Sequence, residues 1–129
     1  MTAKTRLESD SLGSMDLPET SLWGIHTQRA IQNFPISGMK LSLFPEVIRA
    51  LAAVKMAAAR ANCTLGVLPS QKAQVIETAC TEIMSGAHDD AFAVDMIQGG
   101  AGTSTNMNAN EVIANLGLRH MGKSLGDYK

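Results

Sequence analysis

The segment from Glu46 to Gly86 constrains this chain most. Val47, Leu51, Val54, Ala58, Ala61 and Leu65 recur at intervals of four and three, while Arg49, Lys55 and Arg60 fall off that stripe. Such spacing is the signature of an amphipathic helix, expected here to bury the stripe and to end near Gly66. Pro69 suits the first turn of a further helix, in which Ala73, Ile76, Cys80 and Ile83 form the buried stripe and Gly86 supplies a left-handed stop. Two long helices joined by a tight turn must each cover an apolar face, which points to helix-on-helix packing. The materials for the core agree: 45% of the residues are hydrophobic but only 4% aromatic, and eight are Met. A core of Ala, Val, Ile, Leu and Met lets helices approach closely.

The flanking segments are shorter. Arg6-Leu7-Glu8-Ser9-Asp10 alternates polar and apolar residues, Gly13-Ser14 marks a turn, and Met15 to Pro18 returns as a second short strand. Trp23-Gly24 closes that hairpin region, and Thr27 is placed to cap a short helix running through Phe34, which Pro35 stops. His88 to Met96 reads as a loop or a short extended piece. Met107, Val112, Ile113, Leu116 and Met121 outline a third long helix closed by Gly122. With 129 residues, enough to bury a real core, the expectation is one mainly α domain spanning 1–129, several helices with a small N-terminal β-hairpin.

Charge and side-chain chemistry narrow the function classes. Lys and Arg total 11 against 12 Asp and Glu, a formal charge of −1 that gives no electrostatic footprint for nucleic acid or an anionic membrane. Cys63 and Cys80 both fall in helical segments, which suits reduced thiols, and MTAKTRLESDSLG has no apolar leader core; a soluble cytoplasmic protein is expected. His26, His88 and His120 lack metal-ligand spacing and an accompanying nucleophile, so structural or surface roles are expected. Asp89-Asp90 with Asp95 lacks the periodicity of a calcium loop and reads as a solvated acidic turn. No metal and no cofactor are expected.

The stretch GGAGTSTNMNANE, residues 99–111, is different in kind. A glycine-rich turn feeds a helix N-terminus whose cap candidates are Thr103, Ser104 and Thr105. Free backbone N–H groups and the positive end of the helix dipole meet there, and glycines let an anion reach the main chain. That is the makeup of a carboxylate or phosphate cradle; it is equally the makeup of an ordinary capped turn, and local physics leaves both open. No lysine follows the glycines, which removes a Walker loop. Gly100-Ala101-Gly102 with Thr105 misses the dinucleotide fingerprint by one residue, and no strand with an acidic residue follows.

The same stretch, extended as GGAGTSTNMNANEVIAN, resembles the first substrate-binding segment of the fumarase/aspartase superfamily. Trp23-Gly24-Ile25-His26-Thr27-Gln28-Arg29-Ala30, Asn33-Phe34-Pro35-Ile36-Ser37-Gly38, and Arg6-Leu7-Glu8-Ser9-Asp10 with Gly13 and Pro18 are similar to its N-terminal signature, in the same order and spacing. Ala101-Gly102-Thr103, where fumarases carry Ser-Gly-Thr, together with Gly99-Gly100 and Ser104-Thr105, follows the aspartase form. The resemblance implies the N-terminal domain of the superfamily's fold, in an enzyme that reversibly eliminates ammonia from L-aspartate to give fumarate. It further implies a substrate-binding role for Thr103, with Ala101, Gly102 and Ser104 around it. Asn106 and Asn108 are expected to hold the loop's backbone or tie it to neighbouring segments.

Family members run to several times this length. The Ser-Thr-Asn substrate contacts, the histidine-bearing segment, the flexible loop with the serine base and the central bundle that assembles a homotetramer are all absent from these 129 residues. No catalytic residue is therefore expected in this chain, and the isolated chain is expected to be inactive. Fumarate hydration and a stand-alone helical module without catalysis are the alternative readings.

Overall fold

The computed structural model describes residues 3–129. Two strands and four helices follow one another: β1 (Thr5–Asp10), β2 (Gly13–Pro18), α1 (Ile25–Asn33), α2 (Pro45–Thr64), α3 (Ser70–Met84) and α4 (Thr103–His120). Single 3₁₀ turns stand at Leu41–Leu43 and Asp89–Ala91. The mainly α architecture with its small hairpin is the one the sequence predicts, and no helix among the described residues is long and apolar enough to cross a membrane.

β1 and β2 pair antiparallel from Thr5↔Pro18 to Asp10↔Gly13. Asp10 shapes the turn by accepting the Leu12 N–H at 2.9 Å, and its carboxylate is gripped by Arg29 of α1 at 2.8 Å. α2 starts with Pro at its first position, where the missing N–H costs nothing. It ends in a glycine cap, with Gly66 at φ +74° and the Val67 N–H reaching back to the Asn62 carbonyl at 3.0 Å. α3 packs against α2, α4 touches both, and α1 rests on α4 with the hairpin beside it. Leu41, Ile48, Ile83, Phe92, Val112 and Leu116 centre the core. Each such side chain, fully withdrawn from water, contributes roughly 1.5–3 kcal/mol.

The buried stripe of α2 is not the predicted one. Ile48, Ala52 and Ala59 face the core, whereas Val47, Val54 and Leu65 are 41%, 65% and 74% exposed and Leu51 is only half-buried. The reason lies in composition: alanine or a larger apolar residue stands at most positions of α2, so periodicity identifies a helix but does not fix which face turns inward. In α3 the expected Ala73, Cys80 and Ile83 are buried, joined by Ala79, with Ile76 partly so. In α4 Val112, Ile113 and Leu116 are buried, whereas Met121 is exposed just beyond the helix end.

Thr27 does not cap α1. The helix begins two residues earlier, after Gly24, and its free N–H groups are taken by two distant carboxylates: Glu8 accepts from Ile25 and Glu111 from Thr27, at 2.9 and 3.0 Å. A long-range acceptor has replaced the local one that capping patterns look for. The segment 91–95 leaves the second 3₁₀ turn and is wholly buried, bridged to Lys40 through Asp95 and bonded to Leu41 and Ser42.

Candidate functional site

The glycine stretch forms a loop with a fixed base and a bare rim. At the base, Asp95 accepts from the N–H groups of Ser37, Gly38 and Ile97 at 2.8–2.9 Å and from the Ser37 hydroxyl at 2.7 Å. Those donors, the Ile97 N–H foremost, hold its carboxyl down at about pKa 2. Asp95 is therefore buried and engaged, not part of a solvated acidic turn. Acidic spacing alone does not show that two loop segments close over one of the three aspartates.

Gln98 fixes the next turn. Its side-chain amide donates to the Asp95 carbonyl at 2.9 Å and to the Thr105 hydroxyl at 2.6 Å, and its oxygen accepts the Thr105 N–H at 3.0 Å. The helix cap is thus Gln98, acting from outside α4. Thr103, Ser104 and Thr105 make no capping bond with their own side chains, because Gly102 occupies the cap position in a left-handed conformation, φ +77°. Gly100 has the same sign, φ +73°, so both positions need a residue without a Cβ. Gly99 is small for another reason, lying under the Phe34 ring.

Above that base the rim is open. Ala101, Gly102 and Thr103 are exposed and Ser104 is buried in the first turn. Among the described residues the N–H groups of Gly102, Thr103 and Ser104 have no acceptor. They point out of the positive end of an 18-residue helix. Five clefts along the described surface are lined by residues other than 99–103. Asn106 and Asn108 do tie the loop to its neighbours. Asn106 accepts from Lys55 Nζ of α2 at 2.6 Å, and the buried Asn108 bonds the backbone of Ala91 and Val94.

Behind this face α4 carries a buried polar stripe, Ser104, Asn108, Glu111 and Asn115, that apolar-stripe reading passes over. Asn115 donates to the Leu22 carbonyl and the Tyr128 hydroxyl and accepts the Gly126 N–H, all within 3.0 Å. Arg6 gathers the hairpin end: its guanidinium donates to the carbonyls of Pro18, Glu19, Ser21 and Trp23 and pairs with Glu8 at 2.9 Å. Gly24 is confined between these groups. A Cβ there would collide with Glu111 Oε2 and stand 2.6 Å from the Tyr128 hydroxyl. Capping-box and periodicity patterns are local, so partners this distant in sequence leave no such signal.

Glu111 gives this knot a pH dependence. Desolvation, with the Glu8 charge adding to it, pushes its pKa up to about 7, against bonds to backbone N–H groups that pull it down. Its Oε2 and the Thr27 hydroxyl oxygen are buried without a partner. An acid whose pKa is raised by folding stabilises fully below its unfolded pKa, near 4.5, and that contribution is lost as pH rises through about 7. Unfolding free energy should therefore fall between pH 5 and 8, by on the order of 2 kcal/mol. Urea titrations at several pH values check this; a slope in that window that Glu111→Gln leaves unchanged would assign the effect to another group.

The other candidates are structural in their surroundings. His88 and His120 both meet Glu82, at 2.8 and 2.6 Å, and the His88 bond leads the causes that lower the Glu82 pKa. His26 is exposed on α1. Cys80 is fully buried, and desolvation raises its thiol to about pKa 11, as fits a packing residue; Cys63 is half-buried and free.

Comparison with known proteins sets this geometry in context. The model of a lyase family matches residues 13–127. Aspartate ammonia-lyase of Pseudomonas aeruginosa is 53% identical over 98% of this chain, and that of Escherichia coli K12 48% over its full length. Fumarate hydratase class II of Halobacterium salinarum is 50% identical over 98%. In each case the chain spans 27% of the relative's length. Among solved structures, a fumarate lyase:delta crystallin from Brucella melitensis superposes with a TM-score of 0.95 at 52% identity, covering 97% of this chain and 29% of that one. A class II fumarase from Schistosoma mansoni gives 0.88 at 32%, covering 95% and 26%. The fold, the family match and these identities agree with the motifs at residues 6–10, 23–38 and 99–111, and the chain belongs to the fumarase/aspartase family of lyases.

Proposed function

We propose that residues 1–129 are the N-terminal domain of an aspartate ammonia-lyase, which reversibly eliminates ammonia from L-aspartate to give fumarate. The observation that carries this reading is the loop whose base is locked by Asp95 and Gln98 while its rim, Ala101 to Thr103, stays open at the N-terminus of α4. Elimination takes a weakly acidic proton from the carbon beside a carboxylate, and the charge that develops on that carboxylate needs donors already in place. The Thr103 hydroxyl and the free N–H groups of Gly102, Thr103 and Ser104 are such donors. Gly102 keeps side chains out of the anion's way.

The described residues do the binding half of the task. Asp95, at the loop's base, has its carboxyl near pKa 2 and is too weak a base to remove the proton. The base and the remaining substrate contacts belong to the rest of the enzyme, a cytoplasmic homotetramer in this reading. Fumarate hydration is the second reading, favoured by the 50% identity to a class II fumarate hydratase. The complete protein should form fumarate from L-aspartate and far less from L-malate, followed by the ultraviolet absorbance of fumarate, and the isolated chain should turn over neither. Preference for malate would move the assignment to hydration; turnover proportional to the isolated chain would overturn the division of labour.

A further inference from the structure

A helix is ordinarily closed by Ser, Thr, Asp or Asn at the cap position, whose side chain lies across the mouth of the first turn and takes an N–H there. In α4 that position is Gly102, and the acceptor arrives from behind the loop: Gln98 takes the Thr105 N–H at 3.0 Å. The N–H groups of Thr103 and Ser104, within one helical pitch of about 5 Å, are left without an acceptor. Ser104 adds to them, since it is only 6% exposed and its hydroxyl has no hydrogen-bond partner among the described residues. The Gln98 amide is itself tied on both sides, to the Asp95 carbonyl at 2.9 Å and to the Thr105 hydroxyl at 2.6 Å, so its direction is set.

Stability alone would choose a carboxylate for this cap, because negative charge at a helix N-terminus is favourable. The first turn of α4 nevertheless has no acidic residue, and the charged side chain bonded to this end of the helix is Lys55, at Asn106, 2.6 Å away. A glutamate side chain in place of Gln98 would accept the same N–H, but it would lose the bond donated to the Asp95 carbonyl and set a negative charge behind the rim.

We infer that Gln98 is a positioning and specificity residue of the carboxylate cradle: it closes α4 from behind with a neutral group, so that the front of the helix end keeps its donors and its positive charge for an anionic substrate. This rests on the dicarboxylate reading of the loop. Two contributions are distinct. The brace joining residues 95, 98 and 105 holds the turn in which Gly100 and Gly102 are left-handed, and so fixes where the rim donors point. The neutrality of the brace keeps the field of the helix end from being cancelled. Losing the first loosens the loop, whereas losing the second acts on anions, and most on a transition state whose carboxylate carries extra charge.

Gln98→Met and Gln98→Glu in the complete enzyme separate the two. Both keep the length of the side chain; Met removes the hydrogen bonds without adding charge, and Glu keeps an acceptor and adds the charge. Fumarate affinity by calorimetry and kcat/KM for aspartate, both at pH 8, should fall in the order parent, Gln98→Met, Gln98→Glu, with Gln98→Glu at least about tenfold below Gln98→Met. Urea midpoints at one protein concentration should rank the two variants the other way, Gln98→Glu equal to or above Gln98→Met, because the carboxylate is the better helix cap. A residue that only stabilised the loop would rank them alike in stability and in binding. A binding order that follows the stability order therefore overturns the inference, as does Gln98→Glu holding fumarate as tightly as Gln98→Met. A parent enzyme that binds neither fumarate nor aspartate refutes the dicarboxylate reading itself and this inference with it, a failure read on the parent alone.

Discussion

Replacing Thr103 by Val in the complete enzyme is expected to lower kcat/KM for aspartate by about 10²-fold or more, the scale of removing one donor from a developing oxyanion. Val keeps the shape of Thr and deletes the hydroxyl. In the structure Thr103 is exposed, stands at the first position of α4 and makes no side-chain hydrogen bond among the described residues. Its loss should therefore leave stability within about 0.5 kcal/mol, so a fall in rate cannot be charged to unfolding. Ala101→Ser, which writes the fumarase residue into the rim, should cost less. A fall in kcat/KM smaller than about threefold for Thr103→Val, under about 1 kcal/mol, would leave the loop as a turn and nothing more.

Asn108→Leu should have the largest effect on folding, with no role for substrate. Asn108 is fully buried; its amide donates to the Ala91 carbonyl at 2.9 Å and its oxygen accepts the Val94 N–H at 3.4 Å. Leucine fills a similar volume but leaves both backbone groups unpaired in a segment that is itself buried, at a cost of about 2–4 kcal/mol. The urea midpoint reports it. Asn108→Asp is the informative companion: it keeps the acceptor but, once ionised, loses the donor and adds a buried charge, so its deficit should grow as pH rises above the carboxylate range. A midpoint for Asn108→Leu within about 0.5 kcal/mol of the parent would show that water replaces the side chain at that seam.

Helix positions were legible because Pro, Gly and the three-and-four spacing act locally, and residues 45–64, 70–84 and 103–120 carry all three signals or two of them. The phase of α2 was not legible. A helix with alanine or a larger apolar residue at most positions satisfies more than one inward face, and only contact with α3 and α4 decides between them. At the candidate site the glycines could be read because a bare backbone is visible in any sequence. Gln98 could not, since an amide that caps a helix seven residues ahead by folding back across a loop matches no short pattern. Glu8 and Glu111 escaped for the same reason: each caps α1 from a distant part of the chain.

The polar stripe of α4 divides tolerance to mutation unevenly. Asn108 and Asn115 address peptide groups of Ala91, Val94, Leu22 and Gly126, and Glu111 addresses that of Thr27, so what is recognised is mostly main chain. Main chain is common to every amino acid. The segments that hang on α4 are thus free to vary at these contacts provided their path is kept, whereas the three side chains that read them have no interchangeable substitute. Divergence at these contacts should concentrate on the read side and spare the reader, and a segment transplanted from a distant relative should dock on this helix without any change to the helix itself.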